Sequence, residues 1–370
     1  MSNIFIRTSI APYRIDTYNS LHDRLDMKMC FYRRISMDQA FDPEAIESRC
    51  KFTPCYLKGF ETGRESRKIC FGIWKLLSEE KPDIVIVPEF QFILFQVLVY
   101  KWLFRKHFKV VSMTDDSYDM IAHGNDFTRL HRILRSISAP RLDDLIVVTP
   151  DVERWYQSKY RKGLWLPIIR NEEIMTSRYE SLIPLSSALA DKYCLNGKKI
   201  LLYVGRLVKL KNLSRLIESF VSLDTDAILV IVGDGPERKE LEFQAKESGS
   251  RILFPGRFDG DELYAWYNLA DVCILPSYQE SFGAVVNEGL LAGARYIVST
   301  KAGASCLIDE SNGELIDPFD VAGMSEAISR QLSKCSQRDV IAPRPGLMKI
   351  SLEERMDFLV DRLKYGRSAE

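Results

Sequence analysis

The chain has 370 residues, enough for two domains of ordinary size. Its 51 basic and 51 acidic side chains cancel, so no global field argues for nucleic acid as a partner. Its eight cysteines have no paired CxxC arrangement, which argues against a structural zinc site and fits a reduced, cytoplasmic protein.

The opening MSNIFIRTSIAPYRIDTYNS lacks a basic segment followed by a long apolar run and a small-residue cleavage pattern, so it reads as a first strand and helix. Further strands are expected near MKMCFY, DIVIVP, KVVSMT and DLIVVTP. Such short branched-apolar runs, alternating with helical intervals, are the pattern of a mostly parallel sheet. Between Asp38 and Arg67 the pattern lapses around Pro43, Pro54, Gly59 and Gly63, and an exposed excursion is expected. In EFQFILFQVLVYKWLFRKHFKV the apolar core from Phe90 to Val99 is shorter than the roughly 20 residues of a membrane crossing. A buried helix is expected there, with a lipid-touching surface as the alternative. Lys101, Arg105, Lys106, His107 and Lys109 follow it, and Arg129, Arg132 and Arg135 recur on a second predicted helix.

A boundary signal lies between Glu172 and Gly197, after which ILLYV, AILVIV, RILF, VCIL and YIVS begin a second strand series. The expected architecture is α/β: two Rossmann-like domains, residues 1–185 and 186–345, facing a central cleft. A terminal segment, 346–370, carries an apolar stripe through Leu352, Met356, Leu359 and Leu363 that is expected to pack back toward the first domain.

Three turns of the second half carry chemistry. In LLYVGRLVKLKN, Gly205 permits a turn after Val204, Arg206 offers a planar charged fork, and Lys211 stands near the next helix. Together they suit a diphosphate; an exposed basic turn is the plain alternative. In VGDGPERKE, Gly233 and Gly235 either admit a ligand or merely reverse the chain. Neither a full GxGxxG nor a Walker A loop is present. PSYQESFGAVVNEGLLAG sets Glu280 in a loop and Glu288 in the following helix, around a Ser281-Phe282-Gly283 turn beside a helix N-terminus suited to anionic oxygens. Taken alone, the two glutamates also read as a helix cap and a surface charge.

VGRLVKLKN, VGDGPE, FPGRF, LADVCILPSYQESFGAVVNEGLLAG and AGASCLI follow in that order over most of residues 198–320. The series resembles the donor-binding half of retaining GT-B glycosyltransferases of the family 4 type, the glycosyl transferases group 1. APYRIDTYNSL is similar to an entrance loop and helix of such proteins. The resemblance implies a UDP-sugar or GDP-sugar donor, with Arg206 and Lys211 on its diphosphate, Glu280 on the hydroxyls of the transferred sugar and Glu288 on the ribose. Ser281, Phe282 and Gly283 would supply backbone contacts, and Gly233 and Phe258 complete the donor set. Carboxylates accept hydrogen bonds from hydroxyls, and cations stabilise a departing phosphate. Retention assisted by the departing phosphate requires neither a hydrolase-like carboxylate pair nor a metal or other cofactor.

Where many members of that family carry a histidine, KVVSMTDDSYD places Thr114, Asp115 and Asp116. Asp115 is the first choice for a carboxylate facing acceptor or sugar and Asp116 the second, with capping of the next segment as the alternative. The candidate catalytic residues are thus Arg206, Lys211, Glu280 and Asp115; the candidate acceptor-binding residues are Tyr13, Arg14, Asp115 and Asp116. His123 is expected to be an ordinary histidine. The resemblance further implies a saccharide or polyprenyl-diphosphate-linked acceptor, lipopolysaccharide or another surface polysaccharide as setting, and peripheral contact at the cytoplasmic face of a membrane, without nucleic acid. A sugar-nucleotide epimerase of the same fold and a catalytically inactive carbohydrate-binding protein stay open.

Overall fold

The computed structural model describes residues 2–34, 42–61, 68–123, 129–248, 251–338 and 340–366. Residues 38–41 and 62–67 of the expected excursion, the side chain of His123, and residues 367–370 of the terminal segment lie outside them.

Two compact units form, one of residues 1–169 with 352–370, the other of residues 170–351. The strands of the first are β1 (Asn3–Arg7), β2 (Met27–Phe31), β3 (Cys55–Tyr56), β4 (Gly59–Glu61), β5 (Lys68–Cys70), β6 (Ile84–Pro88), β7 (Lys109–Met113), β8 (Asp144–Val147) and β9 (Leu164–Trp165). Seven of them make a sheet in the order β3-β2-β1-β6-β7-β8-β9, every pair parallel. Helices cover both faces of such a sheet, which is why IVIVP of β6 is buried along its whole length. Ile4, Ile6, Val85, Val87, Val110 and Val147 form the centre of its core.

The strands of the second unit are β10 (Ile200–Val204), β11 (Ile228–Val232), β12 (Ile252–Gly256), β13 (Val272–Leu275), β14 (Arg295–Ser299) and β15 (Gly313–Ile316), in the order β12-β11-β10-β13-β14-β15, again all parallel. Each sheet reverses its strand order once, between β1 and β6 in the first and between β10 and β13 in the second. In open α/β sheets ligands bind beyond the carboxyl ends of the strands at that reversal.

Both expected strand series are present, and five strands lie beyond them. β3 and β9 have two residues each, too short for a periodic signal, and β15 begins on a glycine. The other two, β4 within the expected excursion and β5 directly after its last residue, Arg67, form an antiparallel pair. The division of the chain falls at 169/170 rather than at 185/186. The reason is that the helices Glu172–Ser181 and Ile183–Lys192 pack on the second unit: the Tyr179 hydroxyl donates to the Glu288 carbonyl at 2.8 Å, and Asn268 donates to the Tyr179 carbonyl at 2.9 Å. The terminal helix is Leu352–Tyr365 and belongs to the first unit, where its Glu353 and Asp357 pair with Arg24. Its far end is held by Lys109, which donates to the carbonyls of Leu363 (2.6 Å) and Lys364 (3.2 Å), a cation at a helix C-terminus. All eight cysteines are free thiols. No helix among the described residues is long and apolar enough to cross a membrane.

Candidate functional site

The loops after β10, β11 and β13 interlock before any side chain is considered. A Cβ on Gly233 would sit 1.9 Å from the Gly205 carbonyl oxygen, and one on Gly235 2.3 Å from that of Leu207. The Leu207 amide donates to Asp234 O at 2.9 Å, and the Glu237 amide to Leu207 O at 3.1 Å. The glycines of VGDGPE therefore let one turn lie against the other; their open space is filled by the 205–207 backbone. Phe258 is half-buried against Trp266, ring centroids 5.8 Å apart.

Lys211 ends a short 3-10 turn, Lys209–Lys211, and Asn212 follows in the left-handed region at φ 61°. Asn212 is buried and donates to Pro276 O (3.1 Å) and Pro318 O (2.7 Å), while the Tyr278 amide donates to Leu210 O (2.9 Å). These bonds tie the Lys211 turn to the loop after β13, and the Lys211 ammonium pairs with the Glu280 carboxylate. Burial and the Arg206 charge lower the Lys211 pKa to about 8, with Glu280 pulling the other way. Arg206 is exposed and has no ion-pair partner among the described residues. The sequence-predicted diphosphate and sugar residues Arg206, Lys211 and Glu280 are thus brought together. Phe282 is buried, and Glu280 is fixed through its backbone: its amide donates to Lys301 O at 3.2 Å and its carbonyl accepts from Gly303 at 3.1 Å. Gly283, at φ 99°, faces Leu275 so closely that a Cβ would lie 2.6 Å from its Cδ2. Ser281 stands half-buried at the mouth of this turn.

Glu288 lies on the helix Val285–Leu291, only two turns long, and its side chain is 11 % exposed. One carboxylate oxygen is 3.8 Å from Arg170 Nη1, and the other accepts from the Tyr267 hydroxyl at 3.2 Å. Burial and the Glu288 charge raise the Tyr179 and Tyr267 hydroxyls well above their ordinary values, so both are neutral donors. Arg170 Nη1 also donates to Tyr264 at 2.8 Å. Arg170, Tyr264 and Tyr267, which hold Glu288 in place, were absent from the sequence reading. Their spacing of about one helical turn in DELYAWYNL was the available signal for the tyrosines.

At the corresponding end of the first unit, Asp115 follows β7 and is held by two arginines: Arg7 Nη2 at 3.0 Å and Arg14 Nη2 at 2.5 Å. Burial opposes its charge, but Arg14 and Arg7 keep the carboxylate below its ordinary pKa, and its side chain remains 33 % exposed. Arg14 itself is fully buried, so it anchors Asp115 from behind rather than presenting a free acceptor-binding fork. Glu89, just past β6, receives the Asp115 amide at 3.3 Å; burial and the Asp115 charge raise its pKa. Asp116 is buried, and burial together with Glu89 pushes it up to about 8. The following helix, Tyr118–His123, is capped instead by Ser117, whose Oγ accepts from the Met120 amide at 3.4 Å, while the Asp116 amide donates to Thr114 Oγ1 at 3.3 Å. Tyr13 is half-buried, its hydroxyl raised by burial and Asp115. Arg7 and Glu89 are the members that sequence reasoning missed. Their signal was positional, since each is a charge standing at the carboxyl end of a strand beside the order reversal.

Among the described residues no group of three or more His, Cys, Asp or Glu side chains could hold a metal. The two clusters offer different chemistry: one sets two cations beside a carboxylate, and the other fixes a single partly exposed carboxylate between two arginines.

Residues 190–343 match the family model described as Glycosyl transferases group 1. An uncharacterised glycosyltransferase of Methanocaldococcus jannaschii is 34% identical over 151 residues, 40% of this chain and 39% of that protein. The lipopolysaccharide core biosynthesis glycosyltransferase LpsD of Rhizobium meliloti is 30% identical over 189 residues, 50% of this chain and 52% of LpsD. The match thus spans well under two thirds of these relatives. Among solved structures, Anabaena HepE in complex with UDP superposes with a TM-score of 0.71 at 14% identity, over 98% of this chain and 95% of that one. The lipopolysaccharide outer core galactosyltransferase WaaB, apo form, superposes with a TM-score of 0.65 at 15% identity, over 99% and 96%. With two Rossmann-like units of the same strand order and the family's motif series on the loops of the second, the chain has the GT-B fold and is related to the glycosyl transferases group 1 family.

Proposed function

We propose that the chain is a retaining glycosyltransferase that moves a sugar from a nucleotide-sugar donor to a saccharide or lipid-linked saccharide acceptor in surface polysaccharide assembly. The observation that carries this reading is the Lys211–Glu280 pair, with Arg206 exposed beside it, at the carboxyl ends of the strands where the second sheet reverses. Arg206 and Lys211 neutralise the diphosphate as the glycosidic bond breaks, Glu280 accepts from hydroxyls of the transferred sugar, and Glu288 accepts from the ribose. The second unit takes the donor and the first the acceptor, with Asp115 turned to the acceptor hydroxyl. A uridine diphosphate donor is favoured by structures of similar fold solved with UDP and with UDP-glucose. The surface-polysaccharide setting is favoured by the likeness to a lipopolysaccharide core biosynthesis glycosyltransferase; a place at the cytoplasmic face of a membrane belongs to the same proposal.

The test is direct product analysis. Purified protein is incubated with UDP- and GDP-sugars and with soluble or polyprenyl-diphosphate-linked saccharides, and glycan mass and anomeric configuration are measured. A product that keeps the donor's configuration is expected. Isomerised sugar nucleotide without acceptor glycosylation would replace this reading by an epimerase, and donor binding without turnover by a carbohydrate-binding protein.

A further inference from the structure

The helix Phe92–Leu103 buries Ile93, Leu94, Val97 and Tyr100 against the first unit's core, the spacing of one helix face. Its other face carries Phe95, Leu98, Val99 and Trp102 and is only partly covered. Trp102 is 79 % exposed, Leu103 52 % and Val99 43 %. Phe71, 64 % exposed, and Trp74, whose ring lies 5.8 Å from that of Phe104, extend the same face across a neighbouring element. A globular chain rarely leaves so large a contiguous apolar surface in water.

Beside this face a groove of about 700 Å³ runs between the helix Phe92–Leu103 and the segment Ile137–Arg141, floored by Phe95, Leu98 and Ile137. Cations rim it. Arg105, Lys106 and Arg141 line its edge together with Lys101, and Arg105 and Lys106 are exposed without an ion-pair partner among the described residues. The basic set is narrower than the sequence suggested. Lys109 caps the terminal helix, Lys101 pairs with Asp143 at 2.9 Å, and Arg135 is buried with its guanidinium over Trp155 at 5.4 Å.

We propose that this face docks on an anionic phospholipid bilayer, with Trp102, Leu103 and Phe71 entering the interface, the groove taking an acyl chain and Arg105, Lys106 and Arg141 meeting phosphate headgroups. A polar–apolar ring at the boundary, an apolar floor and a cationic rim are together complementary to a lipid surface. A second copy of this net-neutral chain would bring the same cations against one another.

Full-length protein is sedimented with unilamellar vesicles of phosphatidylcholine, with or without phosphatidylglycerol, at low and high salt. Binding to the anionic vesicles is expected, weakened at least about tenfold by removing phosphatidylglycerol and weakened by salt. Trp102→Ser and the double variant Arg105→Glu with Lys106→Glu should each lose about tenfold or more. Their thermal midpoints should stay at the wild-type value, because these side chains are exposed. Brominated acyl chains should quench tryptophan fluorescence in the wild type and markedly less in Trp102→Phe. Failure to bind the anionic vesicles, or binding that neither variant changes, would overturn the proposal. So would a dimer, present without lipid, that Trp102→Ser dissociates.

Discussion

Where its strand order reverses, the second unit holds the ion pair Lys211–Glu280 beside an exposed arginine; at the same place the first unit gathers three carboxylates, Asp115, Glu89 and Asp116, around a buried Arg14 and a half-buried Arg7. Architecture is common to both, so the contrast arises from the side chains alone. In the second unit the charges stand on loops whose backbones are locked together by Gly233, Gly235 and Asn212, and Arg206 stays in water. In the first, Arg7 and Arg14 are consumed in holding Asp115, and Glu89 and Asp116 are kept toward their protonated forms. The fold thus supplies two equivalent places, one carrying cations beside a carboxylate and the other fixing a single carboxylate.

The largest expected effect would come from Lys211→Met. On the proposed function it lowers sugar transfer by about 10²- to 10³-fold, the loss typical of a group that stabilises developing charge. Steady-state kinetics should show the loss in kcat as well as in donor KM, with acceptor KM little changed. A loss confined to acceptor KM would break the division of labour between the units.

The first unit should reveal itself through pH. Asp116 has a folded pKa raised to about 8, against an ordinary aspartate value in the unfolded chain. Below about pH 4 both states hold the proton and there is no penalty. From about pH 4 to about pH 8 the unfolded state ionises while the folded state keeps its proton, so stability falls through that window, by a few kcal/mol, and then levels off. Asp116→Asn should flatten that part of the profile in urea denaturation at a series of pH values. A variant with the wild-type slope would show that Asp116 is not the group responsible.

A smaller effect is expected at Asn212→Ala, which removes two buried hydrogen bonds to Pro276 and Pro318. The cost should be about 1–3 kcal/mol in urea denaturation, with weaker UDP binding because the Lys211 turn loses its tie to the Glu280 loop. Arg206→Ala sharpens the contrast at the low end. It should weaken UDP binding by calorimetry about tenfold yet leave the denaturation midpoint within about 0.5 kcal/mol of wild type, since the side chain is exposed.

Local pattern was sufficient wherever the relevant residues are close in the chain. Runs such as ILLYV and DIVIVP determine buried parallel strands because their branched side chains must be covered on both faces, and Val204 to Lys211 carry turn and charges within a few positions. PSYQESFGAVVNEGLLAG likewise holds a loop and helix in one continuous segment. What the sequence left open depends on contacts distant along the chain. From the sequence Gly233 either admits a ligand or reverses the chain; in the structure the Gly205 carbonyl fills its side-chain space. Asn212 closes the motif VGRLVKLKN, but its partners are Pro276 and Pro318. Arg14 reads from the sequence as a candidate acceptor-binding residue; it is buried with Asp115, 101 positions later, as its counter-charge. Asp115 needs Arg7, Arg14 and Glu89 from separate segments to become a fixed anion, and no local period encodes that meeting. The strands and the order of motifs were thus determined by short-range hydrophobic and turn chemistry. Which charges are buried, paired or left for a ligand was decided by the sheet, because desolvation and ion pairing depend on neighbours that only tertiary packing brings together.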